Sequence, residues 1–380
     1  MSLSARIHTS IAGIGRAAWD AHAAPTGNPF LGYDFLEACE ASDSVHPREG
    51  WGPRHLTLED GGDVLGVMPL YLKGHSQGEY VFDHSWADAF ERAGGIYYPK
   101  LLSAVPFTPV TGPRLLAPTP VLKSALASAA VSLAEREGLS SLHINFPNDA
   151  DQAVLVADGF LARQDRQFVW RNRDYETFDA FLNDLSSNHR KTIRRERREA
   201  HAGLDIRVLT GGDLTEAMWD AFFEFYMDTG SRKWGRPYLN RRFFSEIGTR
   251  MADRIALVMA FEAGLPIAGA LNFIGAEALY GRQWGTVSPR PFLHFELCYY
   301  QAIELAISLG LDRVEAGAQG DHKLSRGYLP RTVHSAHYIA HPGLRRAVAD
   351  YLDQEREAVS DNATVMIENF SPFRHNDKEP

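Results

Sequence analysis

Alternating apolar and polar positions mark two β-hairpins far apart in the chain. The first, PRHLTLEDGGDVLGVMPLYL, turns at Gly61-Gly62; the second, RIALVMAFEAGLPIAGALNFI, turns around Gly264. When Gly66 is aligned with Gly269, the turns differ by one residue. After each hairpin comes an apolar stripe of helical period that ends in Gly-Leu and runs into a short strand. These stretches are LKSALASAAVSLAEREGLSSLHINF in one half and FELCYYQAIELAISLGLDRVEAGA in the other. In the latter, Phe295, Cys298, Tyr299, Ala302, Ala306 and Leu309 fall on one helical face. Gly138 and Gly310 stand where a left-handed C-cap is wanted. Each strand then feeds a capped helix, opened by Asn148 or Asp149 in the first half and by Asp321 in the second. A last strand follows in both, RQFVWRN and TVHSAHYIA.

The chain therefore reads as one unit used twice, an α/β protein with a mixed sheet and covering helices in each half. The predicted domains are 1–172 and 173–362, with a C-terminal tail at 363–380. Between Gly66 and Gly138 the first half is about 30 residues longer than the second half between Gly269 and Gly310, which places an insertion at about 74–104.

A length of 380 residues suits two domains, and 44% hydrophobic with 23% charged residues is ordinary for a soluble protein. No apolar run approaches the roughly 20 residues of a membrane span, and the N-terminus lacks the layout of a secretory signal. The cytoplasm is the expected compartment. Cys39 and Cys298 are too far apart for a disulfide framework or a cysteine zinc site. Strand alternation sends His334 and His337 to opposite faces, so no metal is expected. Nucleophile elbow, phosphate loop and dinucleotide fingerprint are all missing from the sequence.

A net charge of −9 makes any polyanion contact a local one. The candidate is RKTIRRERR, in a helix predicted over 178–202. Arg190, Lys191, Arg194, Arg195, Arg197 and Arg198 share one face of it, opposite Phe178, Leu182, Leu185 and Ile193. The alternative is a solvated face supported by Arg195 and Glu199 at i,i+4 spacing. In the insertion, Asp83, His84, Trp86 and Asp88, followed by Tyr97, Tyr98 and Lys100, interleave aromatic and charged groups. That composition suits recognition of an aminated or sugar-like acceptor, or a loop packed on its own aromatics. The loop SRKWGRPYL, with Arg232, Lys233, Trp234 and Arg236, joins cations to an indole that can bind phosphate or cover a core edge.

The segments EYVFDHSWADAFERAGG, YYPKLLSAVPFTPVTGPRLL, RKTIRRERR, SRKWGRPYL, FLHFELCYYQAI and EAGAQGDHKLSRGYLP resemble a bacterial family of N-acyltransferases of the Fem type. The doubled unit resembles the GCN5-related N-acetyltransferase (GNAT) fold, used twice as in the Fem-type peptidoglycan aminoacyltransferases. The resemblance implies two tandem GNAT domains and transfer of an acyl or aminoacyl group to an amine, with a cell-wall precursor as acceptor. It implies no cofactor beyond the co-substrate. Acetyltransferases of this fold hold the CoA pyrophosphate with an Arg/Gln-x-x-Gly-x-Gly/Ala turn. Neither WGTVSPRPFLH nor TGPRLLAPTP has that pattern, so aminoacyl-tRNA comes before acyl-CoA as donor. The rival class is a non-catalytic binder of RNA or an anionic membrane surface, built on a degenerate pair.

In this fold the acyl group enters where strands diverge beside the central helix. Gly317 and Gly320 then allow close backbone approach, and amides of a helix capped by Asp321 face a developing oxyanion. Glu315, on the strand before this loop, is the expected proton acceptor, with His322 and Tyr280. Gln319, Lys323, Arg326 and Tyr328 are expected in the same pocket. Tyr280, Arg282 and Trp284 share a strand face by period two and either wall the cleft or pack across strands. His294 and Glu296 open the central helix, as ligand contacts or as partners of its dipole.

Overall fold

The computed structural model describes residues 3–233, 237–317 and 320–374. The chain divides into two units, Met1–Asp165 with Thr332–Ser360 and Arg166–Arg331 with Asp361–Pro380. Each is a mixed α/β structure.

In the first unit the Gly61-Gly62 hairpin, His55–Asp60 against Asp63–Met68, joins Ser4–His8 in a three-stranded antiparallel sheet. A second sheet runs in the order Trp51–Pro53, Tyr71–Lys73, Lys100–Ser103, Ser141–Asn145 and then Ser335–Ile339, the last part of the strand Leu329–Ile339. Helix Pro120–Arg136 begins at Thr119, whose hydroxyl accepts the Leu122 amide. It lays Leu126, Ala127, Ala130 and Leu133 on Leu56, Met68, Leu101, Leu142 and Ile144. Each such leucine or isoleucine contributes roughly 1.5–3 kcal/mol by leaving water.

The sheet of the second unit has the order Leu161–Arg171 (within the unit from Arg166), Arg313–Glu315, Ala278–Thr286, Leu265–Ile274, Ile255–Glu262 and Asp205–Leu209. The pairing of Ala278–Thr286 with Arg313–Glu315 is parallel and ends at Tyr280 and Glu315. The central helix runs from Leu293 to Ser308, with one π-helical turn at Glu296–Tyr300. Tyr299, Tyr300, Ala302, Ile303 and Ala306 pack on Phe168, Trp170, Leu279 and Val314. Gly138 and Gly310 take φ values of 64° and 65°, as their cap positions require.

The closing strands are exchanged relative to the sequence pattern. RQFVWRN, expected to close the first half, pairs with Arg313–Glu315 in the second unit, where Trp170 is core. TVHSAHYIA pairs with Ser141–Asn145 in the first unit, where Ala336 is core. The helix predicted over 178–202 is two helices, Phe178–Asp184 and Ser187–Ala200, because Leu185 takes an extended conformation with its side chain buried. From 363 the chain continues the helix Pro342–Phe370, and Phe373 then bridges to Leu185. Among the described residues no helix is long and apolar enough to cross a membrane.

Candidate functional site

Beyond Tyr280 and Glu315 the paired strands of the second unit part. Ala316 and Gly317 stay with Phe168 through hydrogen bonds of 3.3 and 3.2 Å, while Gly281–Thr286 continues along Leu265–Ile274. The loop turns through Gly317 and Gly320 at φ 76° and 100°. Lys323 braces it: Nζ donates to the carbonyls of Ala316 at 2.6 Å and Gly317 at 3.2 Å. This lysine is buried, and burial, aided by the nearby Arg282 charge, pulls its ammonium down to about 8.

Glu315 is buried as well, but its carboxylate has other partners. Its Oε1 accepts Arg313 Nε at 3.1 Å and lies 3.7 Å from Arg331, while Oε2 has no hydrogen-bond partner. Burial, and then the Glu315 charge, push the Tyr280 hydroxyl up to about 12, so it stays protonated at neutral pH. Leu279 and Val314 pack under the central helix, so alternation puts Tyr280 and Glu315 on the other face of the sheet. Lys323 approaches from the central-helix side, 5.8 Å from the ring of Phe168. The expected common pocket of Glu315 and Tyr280 with Lys323 and His322 is thus divided by the sheet.

Trp284 does not share the sheet face of Tyr280. A register shift between Gly281 and Trp284 interrupts the alternation on which its shared face with Tyr280 depends. Trp284 turns to the central-helix side, among Leu293 and Leu297, with its ring 5.0 Å from His294. Arg282 stays with Tyr280, its guanidinium 5.2 Å from that ring, and Nη1 reaches the Glu315 carbonyl at 3.5 Å. His322 Nε2 lies 2.9 Å from the Tyr299 hydroxyl, and its ring is 5.9 Å from that of His294. Trp284, His294, Tyr299 and His322 therefore form one cluster beside Lys323. Gln319 lies outside the described residues, as do the side chains of Asp321, Arg232 and Lys233, and residues Trp234 and Arg236. Asp321 is the first residue of a six-residue 3₁₀ helix, Asp321–Arg326, which Gly320 precedes, so it is not the cap.

Three further expected ligand contacts are internal supports. Arg326 Nη2 donates to both Glu196 oxygens at 2.9 Å, and its guanidinium stacks 3.5 Å above Phe295. Tyr328 is fully buried, its hydroxyl donating to the Tyr299 carbonyl at 3.2 Å. Glu296, also buried, accepts from Arg197 at 3.0 Å and Gln301 at 2.8 Å, with His201 Nε2 at 2.9 Å. Burial opposes its charge, but the hydrogen bond from His201 and the Arg197 charge prevail and lower its pKa.

The basic helix Ser187–Ala200 thus docks through Ile193, Glu196 and Arg197. Arg197 turns inward and Arg190 is half-buried, which corrects the expectation of six outward cations. Lys191, Arg194, Arg195 and Arg198 are exposed; Arg194 pairs with Asp179 at 3.0 Å, and Arg195 lies 3.9 Å from Glu199. An open groove of about 420 Å³ runs beside them, past Phe178, Leu182, Arg194 and Arg197.

The first unit holds a buried ionic cluster of which the sequence pattern shows Asp83, Tyr97 and Lys100. Lys100 Nζ donates to Ser76 Oγ at 2.7 Å, Glu79 Oε2 at 2.8 Å and Asp83 Oδ2 at 2.5 Å. Lys73 Nζ lies 3.8 Å from Glu79 Oε1 and 3.6 Å above the ring of Trp51. The Tyr97 hydroxyl donates to Asp83 Oδ2 at 2.7 Å and is 3.2 Å from His143 Nε2. His143 and His337 meet through their Nδ1 atoms at 2.6 Å. Lys73, Lys100 and His337 are 0% exposed.

Burial raises the Glu79 carboxyl to about 7 against the pull of Lys100, and lowers Lys73 to about 7. Burial also lowers His143 to about 3 and His337 well below its usual value, so both imidazoles are neutral at pH 7. Asp83 goes the other way: burial opposes its charge, but Lys100 and His143 hold it well below the usual carboxylate range. Trp86 is buried, 5.0 Å from the ring of His337. His84 and Asp88 are exposed on the helix His84–Arg92 and take no part in this cluster. Lys73, Glu79, His143 and His337 are not marked as site residues by the sequence pattern, and for the lysine and the histidines the signal is faint. A lysine ends the apolar run PLYLK, and a histidine sits mid-strand in SLHIN and in SAHYI.

The model of a FemAB-like family, described as peptidoglycan biosynthesis/recognition, matches residues 10–375. Among solved structures, FemX is 12% identical with a TM-score of 0.56, and the match covers 92% of this chain and all (100%) of that one. A conserved protein of unknown function from Bacteroides thetaiotaomicron is 11% identical with a TM-score of 0.55, over 89% of this chain and 100% of that one. L-PGS from Bacillus licheniformis is 8% identical with a TM-score of 0.51, over 86% and 98%. At these identities the likeness is one of fold alone. No curated protein matches the chain.

Proposed function

The chain belongs to the FemAB-like family, and from that premise we propose that it is a cytoplasmic N-acyltransferase, moving an aminoacyl or acyl group from an activated ester or thioester to an amine. The observation that carries this reading is the split in the second unit's sheet, where the parallel pairing stops at Tyr280 and Glu315 and Lys323 braces the loop beyond. An acyl group lying along that split meets backbone no longer engaged in pairing and a buried ammonium. Both favour the oxyanion that forms when the amine attacks. The amine nitrogen must lose a proton, and His322, held by Tyr299 on the same side, is the group that takes it. Bringing donor and acceptor together supplies much of the remaining rate. No metal or redox cofactor enters this scheme.

Aminoacyl-tRNA is the preferred donor, docked on Lys191, Arg194, Arg195 and Arg198, with acyl-CoA second; the acceptor is an amine of a cell-wall precursor. The test is transfer to a panel of amines from charged tRNA and from acyl-CoA, read by mass spectrometry. Lys323→Ala is expected to lower kcat about 10²–10³-fold, the scale for losing one oxyanion donor. In the wild type, kcat/KM falls as the pH passes about 8, where Lys323 gives up its charge. Salt-sensitive polyanion binding without transfer from either donor would favour the second reading, a non-catalytic binder, which the four exposed cations also suit.

A further inference from the structure

We propose that the polar face of the first unit's sheet, under the segment 74–99, is a binding site for a protonated primary amine. Leu101, Leu142, Ile144 and Ala336 enter the apolar core, so alternation turns Lys100, His143, Asn145 and His337 to the opposite face. The insertion covers that face with Glu79, Asp83, Trp86 and Tyr97, all buried. Two lysines and two carboxylates buried together are a poor device for stability, since apolar residues of the same volume do as well or better.

Hydrogen bonding shows what the face lacks. Lys100 spends all three N–H groups, on Ser76, Glu79 and Asp83. Three acceptors have no hydrogen-bond partner: Glu79 Oε1, which Lys73 approaches only to 3.8 Å, Asp83 Oδ1 and Asn145 Oδ1, on residues at most 3% exposed. Leaving such atoms unmatched is costly. An ammonium brings three N–H donors and a charge that two carboxylates balance. The two histidines of the face are neutral and do not repel it. Lys73, lowered to about 7, sheds its proton when a second cation enters. The ring of Tyr97, whose hydroxyl donates to Asp83, borders the same place, and such faces attract ammonium groups.

The inference deepens the transfer reading by giving the acceptor class a place to bind, yet it is tested with no donor present. Full-length protein is titrated with methylammonium and with glucosamine, and separately with N-acetylglucosamine, by calorimetry and thermal shift. Binding of the two amines, at least tenfold tighter than of the acetylated sugar, is expected. Asn145→Leu and Glu79→Gln should each weaken amine binding about tenfold or more, with folding checked by near-ultraviolet circular dichroism. Should Asn145→Leu not fold, Asn145→Ser serves in its place. Equal binding of glucosamine and its acetylated form, no binding of either amine, or unaltered affinity in folded variants overturns the proposal. Amine binding without transfer from any donor would sink only the transfer reading.

Discussion

Lys100 in the first unit and Lys323 in the second are both buried lysines that close a loop onto a sheet, yet their surroundings differ. Lys100 points its donors at two carboxylates and a serine, and this raises its pKa despite burial. Lys323 points at two backbone carbonyls, and burial, with Arg282 nearby, lowers its pKa to about 8. Neutral carbonyls satisfy hydrogen bonds but do not supply a countercharge. The first arrangement fixes a permanent ion; the second keeps a group that changes charge near neutral pH, which is what chemistry on a developing anion can use.

Removing each charge in turn separates the two lysines most clearly. Lys100→Met leaves Glu79 and Asp83 buried without their main partner and is expected to cost roughly 3–5 kcal/mol. Lys323→Met should cost only about 1 kcal/mol, because losing an ammonium that burial disfavours offsets the lost hydrogen bonds. Urea unfolding of the two variants measures the gap, and equal costs would end the distinction.

Glu79 makes the stability of the first unit depend on pH. Its pKa rises from 4.5 to about 7 on folding, so the folded state holds a proton there that the unfolded chain has already released. Its contribution is therefore complete below pH 4.5 and lost as the pH climbs through about 7. Glu79→Gln, which keeps the neutral form, should gain on the wild type across that window by roughly 3 kcal/mol and then level off. A difference that stays flat from pH 4.5 to 8 would mean that Lys100 keeps Glu79 ionised throughout.

The smallest effect on stability belongs to the outward face of the basic helix. Arg194, Arg195 and Arg198 replaced together by Ala should change stability by less than about 1 kcal/mol, since all three are exposed, as are the ion pairs of Arg194 and Arg195. Polyanion affinity should drop and its salt dependence flatten. Filter binding with tRNA at several salt concentrations checks this, and an unchanged slope returns these residues to the role of a solvated face.

Local punctuation was the legible part of the fold. Gly61-Gly62, Gly264, Gly138 and Gly310 mark turns and caps by their own backbone chemistry, and the two hairpins and central helix follow. Pairing partners were not legible: RQFVWRN and TVHSAHYIA are both good strands, and only distant apolar contacts decide which sheet each joins. The register shift before Trp284 is another tertiary event, invisible to a period-two count. In the candidate sites, Lys323, His322 and Asp83 stood out because loops advertise their charges. His143 and His337 did not, because each looks like a lone histidine in an apolar strand until the fold sets them face to face.

The strand exchange has a consequence for synthesis. Ser141–Asn145 has no partner on one side until residues 335–339 arrive, nearly two hundred positions later in the chain. The first half to leave the ribosome is thus the one that must wait, its edge strand bare and one histidine of the pair without the other. The second unit, by contrast, already has its borrowed strand when its own begin to emerge. Truncation after residue 331 should leave the earlier-made half the less protected against protease, with the later-made half the firmer of the two. In this chain the order of birth and the order of completion run in opposite directions.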